Sequence, residues 1–236
     1  MLGYRTMALA SALSAALLTA CGGGGGGGPA ETPQGTAMAF PLQAGYKALV
    51  SNGYSIDFNI SGDCNGTATQ LNAKAQAATF EGTAGVAAVS TQTIDFSDCT
   101  PAHTVGTETE YFDASYASLG STIGGDEYGV YQAPASFPVS VKVGDSGSYG
   151  TETLYSDGSK TQVKGRAVRT WRVDADTGSE STAIGTLTTQ VFDAADQLDN
   201  TQQSRYRMAA DGTLTIVGVD IQIAGTNPLH LVLTPK

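Results

Sequence analysis

Hydrophobic and polar residues alternate along most of the chain after residue 38, with the two-residue period of a β-strand. Three segments show this most clearly, with apolar side chains at Ile56, Phe58 and Ile60, at Val217, Val219, Ile221 and Ile223, and at Leu229, Leu231 and Leu233. Such a period is typical of an antiparallel sheet with one buried face and one solvated face. The sequence predicts no long helix, and a single helical turn at residues 114–119.

Turn signals divide the C-terminal half of the chain at similar intervals. They are Asp157-Gly158, Thr177-Gly178, Ala195-Asp196, Asp211-Gly212 and Gly225. Asp-Gly between β segments is a strong hairpin signal, because glycine accepts the positive φ that such turns need. Long strands joined by short turns form a meander that curls or closes. We therefore expect an all-β fold, a single domain of long antiparallel strands forming a curled sheet, half-barrel or barrel.

Residues 1–20 have the three parts of a secretion signal. Arg5 supplies the positive start, residues 7–18 form an apolar run, and small residues precede Cys21. The run is shorter than the roughly 20 apolar residues of a membrane-spanning helix. Leu18-Thr19-Ala20-Cys21 resembles the lipobox of bacterial lipoproteins. The alternative is an ordinary secretion signal followed by an accidental cysteine.

The lipobox resemblance implies a lipid anchor on Cys21. In that family the signal is cut before the cysteine, its sulfur is joined to diacylglycerol, and its new amine is acylated. Two or more acyl chains give stable anchoring. Gly22 stands where an aspartate would resemble an inner-membrane retention signal. We therefore expect a protein of the bacterial cell envelope that is anchored to the outer membrane, with the membrane as a partner through the lipid on Cys21.

Residues 21–37 contain seven consecutive glycines followed by a segment rich in proline and small residues. Such a segment cannot bury enough apolar surface to offset the entropy of ordering it. It predicts a flexible tether with a reach of roughly 20–24 Å. The chain therefore divides into a signal peptide over 1–20, a lipidated tether over 21–37 and a β-rich domain over 38–236.

Composition narrows the range of functions. Twelve Lys and Arg stand against 22 Asp and Glu, giving a net charge of −10. A surface with that balance repels phosphate backbones, so we expect no nucleic-acid partner. Two histidines and three cysteines are too few to favour a zinc site of the usual ligand types, and no motif indicates a cofactor.

Cys64 and Cys99 are the two thiols that remain once Cys21 is acylated. Because exported compartments are oxidising, the pair predicts a disulfide. A metal pair, with His103 as a further ligand, and a free reactive thiol are the alternatives. Lipobox, glycine tract, paired cysteines and the segment Val141-Lys142-Val143-Gly144-Asp145-Ser146-Gly147 are together similar to uncharacterised exported β-rich lipoproteins. That resemblance covers most of the chain and implies no activity.

Gly144-Asp145-Ser146-Gly147 resembles the nucleophile motif of chymotrypsin-like serine proteases, and Thr100-Pro101-Ala102-His103 resembles their histidine segment. Asp113 or Asp126 would complete the triad. The short chain between His103 and Ser146 leaves no room for two barrels, and Ser148-Tyr149 breaks the family pattern. The motif is therefore better interpreted as a glycine-rich turn, and we expect no catalytic residues.

A cationic stripe is the remaining candidate site. Lys164, Arg166 and Arg172 share one strand face, and Arg205 and Arg207 alternate with Tyr206. The five cations could hold an anionic lipid, glycan or protein partner. The alternative is a solvated outer face with weak cross-strand ion pairs.

These features favour a membrane-anchored envelope lipoprotein with a non-enzymatic binding or structural role towards an unidentified ligand or envelope protein. A periplasmic carrier that holds an apolar ligand or lipid in a curled sheet is the alternative. A serine hydrolase using Ser146 is the third hypothesis.

Overall fold

The computed structural model describes residues 38–236, where one α-helix precedes thirteen β-strands. The helix is α1 (Leu42–Asn52). The strands are β1 (Tyr54–Gly62), β2 (Gly66–Asn72), β3 (Gln76–Phe80), β4 (Thr83–Phe96), β5 (His103–Asp113), β6 (Ser118–Ile123), β7 (Glu127–Ala135), β8 (Ser146–Tyr155), β9 (Val163–Ala175), β10 (Thr182–Asp193), β11 (Leu198–Ala209), β12 (Leu214–Ile223) and β13 (Leu229–Pro235).

Twelve of these strands form a closed antiparallel barrel. From β4 to β13 each strand pairs with the next in chain order, as a meander requires. The ring closes because β13 pairs with β1, β1 pairs with β2, and β2 pairs back onto β4. Strand β3 pairs only with the first part of β4 and lies outside the ring. The predicted all-β meander is confirmed, and the sheet is closed.

The alternation in the sequence places side chains on the two faces of this barrel. Phe58 and Ile60 of β1 are buried while their neighbours are exposed, and Leu231 and Leu233 of β13 are buried while the residues beside them are exposed or half-buried. The predicted inward position of Val217 is wrong. A β-bulge opposite Arg205 and Tyr206 inserts Val217 as an extra residue, so Ile216 takes the buried position.

All five predicted turns join consecutive strands between β8 and β13. The predicted helical turn at residues 114–119 is not formed, because Tyr116 adopts a positive φ of 68° and β6 begins at Ser118. Tyr116 belongs instead to a tight turn organised by Asp113, whose carboxylate accepts hydrogen bonds from the backbone amides of Ser115 and Ala117.

The sequence prediction missed helix α1, although its inward residues repeat at helical spacing. Tyr46 and Val50, one helical turn apart, both pack in a cluster with Phe112 of β5 and Ala88 of β4. Gly45 lets the helix approach the turn after β11, since a β-carbon there would lie 2.2 Å from the carbonyl oxygen of Gly212. The helix therefore packs into the end of the barrel where β1 begins.

Apolar residues fill the barrel in separate clusters. One lies beneath β1, β2, β4, β12 and β13, and a second packs beside α1. The large side chains that are fully buried are Phe58, Ile94, Leu231 and Leu233 in the first cluster, and Phe40, Val141, Val173 and Met208 in the second. No helix within residues 38–236 is long and apolar enough to cross a membrane.

Candidate ligand-binding site

A cavity of about 120 Å³ lies inside the barrel between α1 and the surrounding strands. Its lining is a mixture of aromatic, amide, hydroxyl and charged side chains. The polar and charged members are Tyr46, Tyr54, Gln70, Asn72, Ser90, Glu108, Glu110, Tyr149, Arg169, Gln202, Ser204 and Tyr206. Six apolar residues complete it: Leu49, Val50, Ala88, Leu187, Ile216 and Val219.

Side chains alternate between the two faces of a strand, and three charged residues of the lining lie on inner faces. Glu108 and Glu110 share the inner face of β5 with the buried Phe112. Arg169 likewise shares the inner face of β9 with Ala167 and Val173, both of which are buried. These charged side chains occupy positions that a barrel core ordinarily gives to apolar ones.

Arg169 and Glu152 form an ion pair inside the barrel wall. The Arg169 guanidinium donates to Glu152 Oε2 at 2.7 Å, with only 11% of the arginine side chain and 1% of the glutamate exposed. The guanidinium also donates to the Tyr131 hydroxyl, and Ser121 donates to Glu152 Oε1 at 2.7 Å. Gly129 makes room for this carboxylate, because a β-carbon there would lie 2.1 Å from it.

Glu110 is held by two hydroxyl groups. Ser118 donates to Glu110 Oε1 at 2.8 Å, and Tyr46 of α1 donates to Oε2 at 3.3 Å. Ser118 lies 2.6 Å from the Tyr149 hydroxyl, which donates to it because the serine proton is already engaged. The network joins α1 to β5, β6 and β8 through one carboxylate.

Glu108 has no such partners. It lines the cavity and accepts no hydrogen bond from any described residue. Ser90 of β4 lies opposite Glu108 and belongs to a row of amide and hydroxyl side chains along the cavity. In this row Ser90 donates to Asn72 Oδ1 at 3.0 Å, and Gln70 donates to the Tyr54 hydroxyl at 3.0 Å. Glu108 therefore presents its carboxyl group to the cavity.

Burial changes the protonation of this interior. It raises the pKa of Glu108 to about 7 against the attraction of Arg169, and the nearby carboxylates Glu110 and Glu127 add to the rise. Burial also raises the pKa of Glu152, which the hydrogen bond from Ser121 opposes. The pKa of Tyr46 is raised by burial and by Glu110, so its hydroxyl remains a neutral donor.

The three inner glutamates of the described chain do not bring their oxygen atoms within 4.8 Å of one another. Among residues 38–236 the only three metal-ligating groups with donor atoms within 4.8 Å of one another are Cys64, Asp98 and Cys99. Both sulfurs of that group are joined in a disulfide, with a Cα–Cα distance of 5.8 Å. The predicted disulfide is confirmed. It ties the turn between β1 and β2 to the turn between β4 and β5.

The cationic stripe lies on the outer face of the barrel. Lys164, Arg166 and Arg172 follow β9, and Arg205 and Arg207 follow β11, with β10 between them. Four of the five cations have acidic partners within 4 Å. The pairs are Lys164 with Glu127, Arg166 with Asp196, Arg172 with Asp174, and Arg207 with Asp176.

Arg205 is the member of the stripe that makes no ion pair with a described residue. Its cross-strand neighbour on β10 is Thr186, which is 1% exposed. On β9 the cross-strand neighbour of Thr186 is Arg172. Ion pairs between exposed side chains contribute little to stability. The geometry of the stripe therefore matches a solvated outer face.

Ser146 and His103 begin β8 and β5. Three antiparallel pairings separate these strands, so their first residues lie at opposite ends of the barrel. His103 contacts Asp95 at 2.7 Å on the exposed surface. The arrangement does not bring the two residues together as a triad would require. Cys21, the predicted lipidation site, lies outside the described residues.

The sequence prediction missed the residues that shape the cavity. Glu108, Glu110, Glu152 and Arg169 were not among its candidates. A signal was present, because Arg169 has the opposite strand parity to Lys164, Arg166 and Arg172 and the same parity as Trp171 and Val173. A charge on the apolar face of a strand indicates a buried partner.

Together the fold and the cavity define a closed twelve-stranded antiparallel barrel with an acidic, tyrosine-lined interior. Comparisons of the chain with protein-family models, with curated proteins and with solved structures each find no match.

Proposed function

We propose that this protein is a lipid-anchored, non-enzymatic binding protein of the bacterial outer membrane that holds a small polar ligand inside its barrel. The lipobox and tether supply the argument for anchoring through Cys21. The observation that supports binding is the cavity inside the barrel, where a carboxyl group that lacks a hydrogen-bond donor from the described residues stands among convergent amide and hydroxyl groups. Ligand sites in barrels ordinarily combine enclosure with a few oriented polar groups.

The lining favours a polar ligand over the apolar ligand or lipid of a carrier. Twelve of its eighteen residues have polar or charged side chains, and two of them are carboxylates. An alkyl chain would have to desolvate these groups without returning a hydrogen bond, which is unfavourable. A small molecule with several hydrogen-bonding groups would satisfy them.

Native mass spectrometry of the lipidated protein, purified in an uncharged detergent, tests this proposal. We expect a retained small molecule in the wild type that is lost from Ala88→Leu, because Ala88 lines the cavity and the larger side chain fills it. Ala48→Leu on the exposed side of α1 is the matched control and should retain the molecule. A retained acyl lipid that Ala88→Leu displaces would favour the carrier instead. Equal occupancy in both variants would contradict binding in the cavity.

A further inference from the structure

The cavity contains one carboxyl group that no donor among residues 38–236 satisfies. Glu110 accepts hydrogen bonds from Ser118 and Tyr46, and Glu152 accepts them from Ser121 and Arg169. Glu108 points from the inner face of β5 into the cavity, is half-buried and accepts none. A carboxyl group that is partly removed from water without a donor is costly, and a ligand that brings a donor reduces that cost.

The charges around the cavity also favour a positively charged ligand. Arg169 is the only cation among the described lining residues. Its guanidinium is engaged by Glu152, which lies in the barrel wall outside the lining. Arg169 also attracts Glu108, so the three carboxyl groups of Glu108, Glu110 and Glu152 share one cation. In a medium of low dielectric constant this charge attracts a cation and repels an anion.

The spacing of the carboxylates favours an extended cation over a bare metal ion. Glu108, Glu110 and Glu152 do not bring three oxygen atoms within 4.8 Å of one another. A divalent ion needs its oxygen ligands at about 2.0–2.6 Å and therefore close together. An ammonium group instead needs one strong acceptor and several weaker acceptors around it.

Aromatic rings also line the cavity, and they favour an ammonium group. Tyr54, Tyr149 and Tyr206 line the cavity together with Tyr46 of the helix. Burial raises the pKa of Tyr206 to about 12 and raises the pKa of Tyr54 and Tyr149 further, so all three rings remain neutral. The negative faces of neutral aromatic rings attract ammonium groups, most strongly where water is excluded.

We propose that the cavity binds a small organic cation through an ammonium group, with Glu108 as the carboxylate that receives it. The inference rests on the proposed function, since it names the class of polar ligand that the barrel holds. Glu110 and the amide and hydroxyl row bind the remainder of the molecule. Arg169 stays paired with Glu152 and takes no part in recognition.

Isothermal titration calorimetry of the full-length lipidated protein at pH 8 tests this inference with three probes of equal chain length. The probes are 1,4-diaminobutane, the neutral 1,4-butanediol and the dianion succinate. We expect the diamine to bind, and the diol and succinate to bind at least about tenfold more weakly, because a hydrogen bond to a charged group exceeds a neutral one. Glu108→Gln keeps the size of the side chain and should weaken diamine binding about tenfold or more. Glu180→Gln, on an exposed turn, should leave it unchanged.

Each other outcome has a defined meaning. If the diol or succinate binds as tightly as the diamine, the ligand is not a cation, although the barrel remains a binding protein. If Glu108→Gln binds the diamine as the wild type does, Glu108 is not the receiving carboxylate and the inference is wrong. Failure of all three probes would overturn the inference. If native mass spectrometry also finds no retained molecule, the proposed function is overturned with it.

Discussion

Arg169 donates a hydrogen bond to Glu152 at 2.7 Å, joining the inner faces of the neighbouring strands β9 and β8. The pair lies in the barrel wall with its guanidinium directed at the carboxylate and at the Tyr131 hydroxyl. The pair therefore holds Arg169, the one cation of the described cavity lining, against Glu152. Glu108 is left without a hydrogen-bond donor among the described residues.

Replacing Arg169 should destabilise the protein, because the buried Glu152 carboxylate then loses its cation. Arg169→Met keeps the aliphatic bulk but leaves Glu152 with the Ser121 hydroxyl as its donor. We expect a loss of about 3–5 kcal/mol of unfolding free energy, as for other broken buried pairs. Arg172→Met, three residues along the same strand on the exposed face, should cost under about 1 kcal/mol. Equal losses in chemical denaturation would contradict the buried role of Arg169.

The unfolding free energy should decrease as pH rises towards 8. Burial raises the pKa of Glu108 to about 7, so the folded state keeps a proton that the unfolded chain releases near the ordinary value of about 4.3. This stabilisation is complete below about pH 4 and is lost as pH rises through 7. Glu108→Gln cannot titrate, and it should be more stable than the wild type at pH 8 by up to roughly 3 kcal/mol.

Denaturation of both proteins between pH 4.5 and 8 measures this difference. Glu180→Gln provides the control for loss of an exposed carboxylate and should follow the wild-type curve. A constant offset between Glu108→Gln and the wild type over the whole range would show that Glu108 does not titrate in this window.

The disulfide should stabilise the barrel without being needed for its fold. Cys64 and Cys99 close a loop with a sequence separation of 35 residues. In the chain-entropy model such a loop contributes about 4 kcal/mol. The Cys64→Ser, Cys99→Ser double variant should fold and lose about that much. The wild type with reductant should match the variant, whose own denaturation curve should not respond to reductant.

Gly45→Ala tests the packing of α1 into the barrel. In an exposed helix this change stabilises by about 1 kcal/mol, because alanine has the higher helix propensity. At Gly45 a β-carbon would meet the Gly212 carbonyl oxygen at 2.2 Å, so we expect destabilisation of about 1–3 kcal/mol instead. Ala48→Gly on the exposed side of the helix should cost only the propensity difference. A stabilised Gly45→Ala would show that α1 can move away from this turn.

Cys21→Ser tests the anchor. Without the thiol no diacylglycerol can be attached, and the lipoprotein signal should remain uncut. We expect a larger precursor that carries no labelled fatty acid when cells are fed one, whereas the Cys64→Ser, Cys99→Ser variant should still be labelled and anchored. A mature, detergent-partitioning Cys21→Ser protein would rule out the lipobox interpretation.

The strand period and the C-terminal turns of this protein follow from local sequence. Period-two alternation shows which side chains of β1 and β13 are buried, and the five turn signals between β8 and β13 all fall between strands. Both are local properties, because the pleat and the positive φ of a turn involve neighbouring residues only. The bulge at Val217 is the exception, since an inserted residue in one strand is defined by its pairing with another.

Closure of the sheet and the chemistry of its interior were decided by tertiary structure. The ring closes where β13 pairs with β1, which lies at the other end of the domain sequence, and where β2 pairs with β4 past the intervening β3. No local sequence pattern specifies either pairing. The sequence alone placed Lys164, Arg166 and Arg172 on one face, and the structure puts them outside. Arg169 lies inside because Glu152 compensates its charge there, and that compensation exists only once β8 and β9 are paired in a closed barrel.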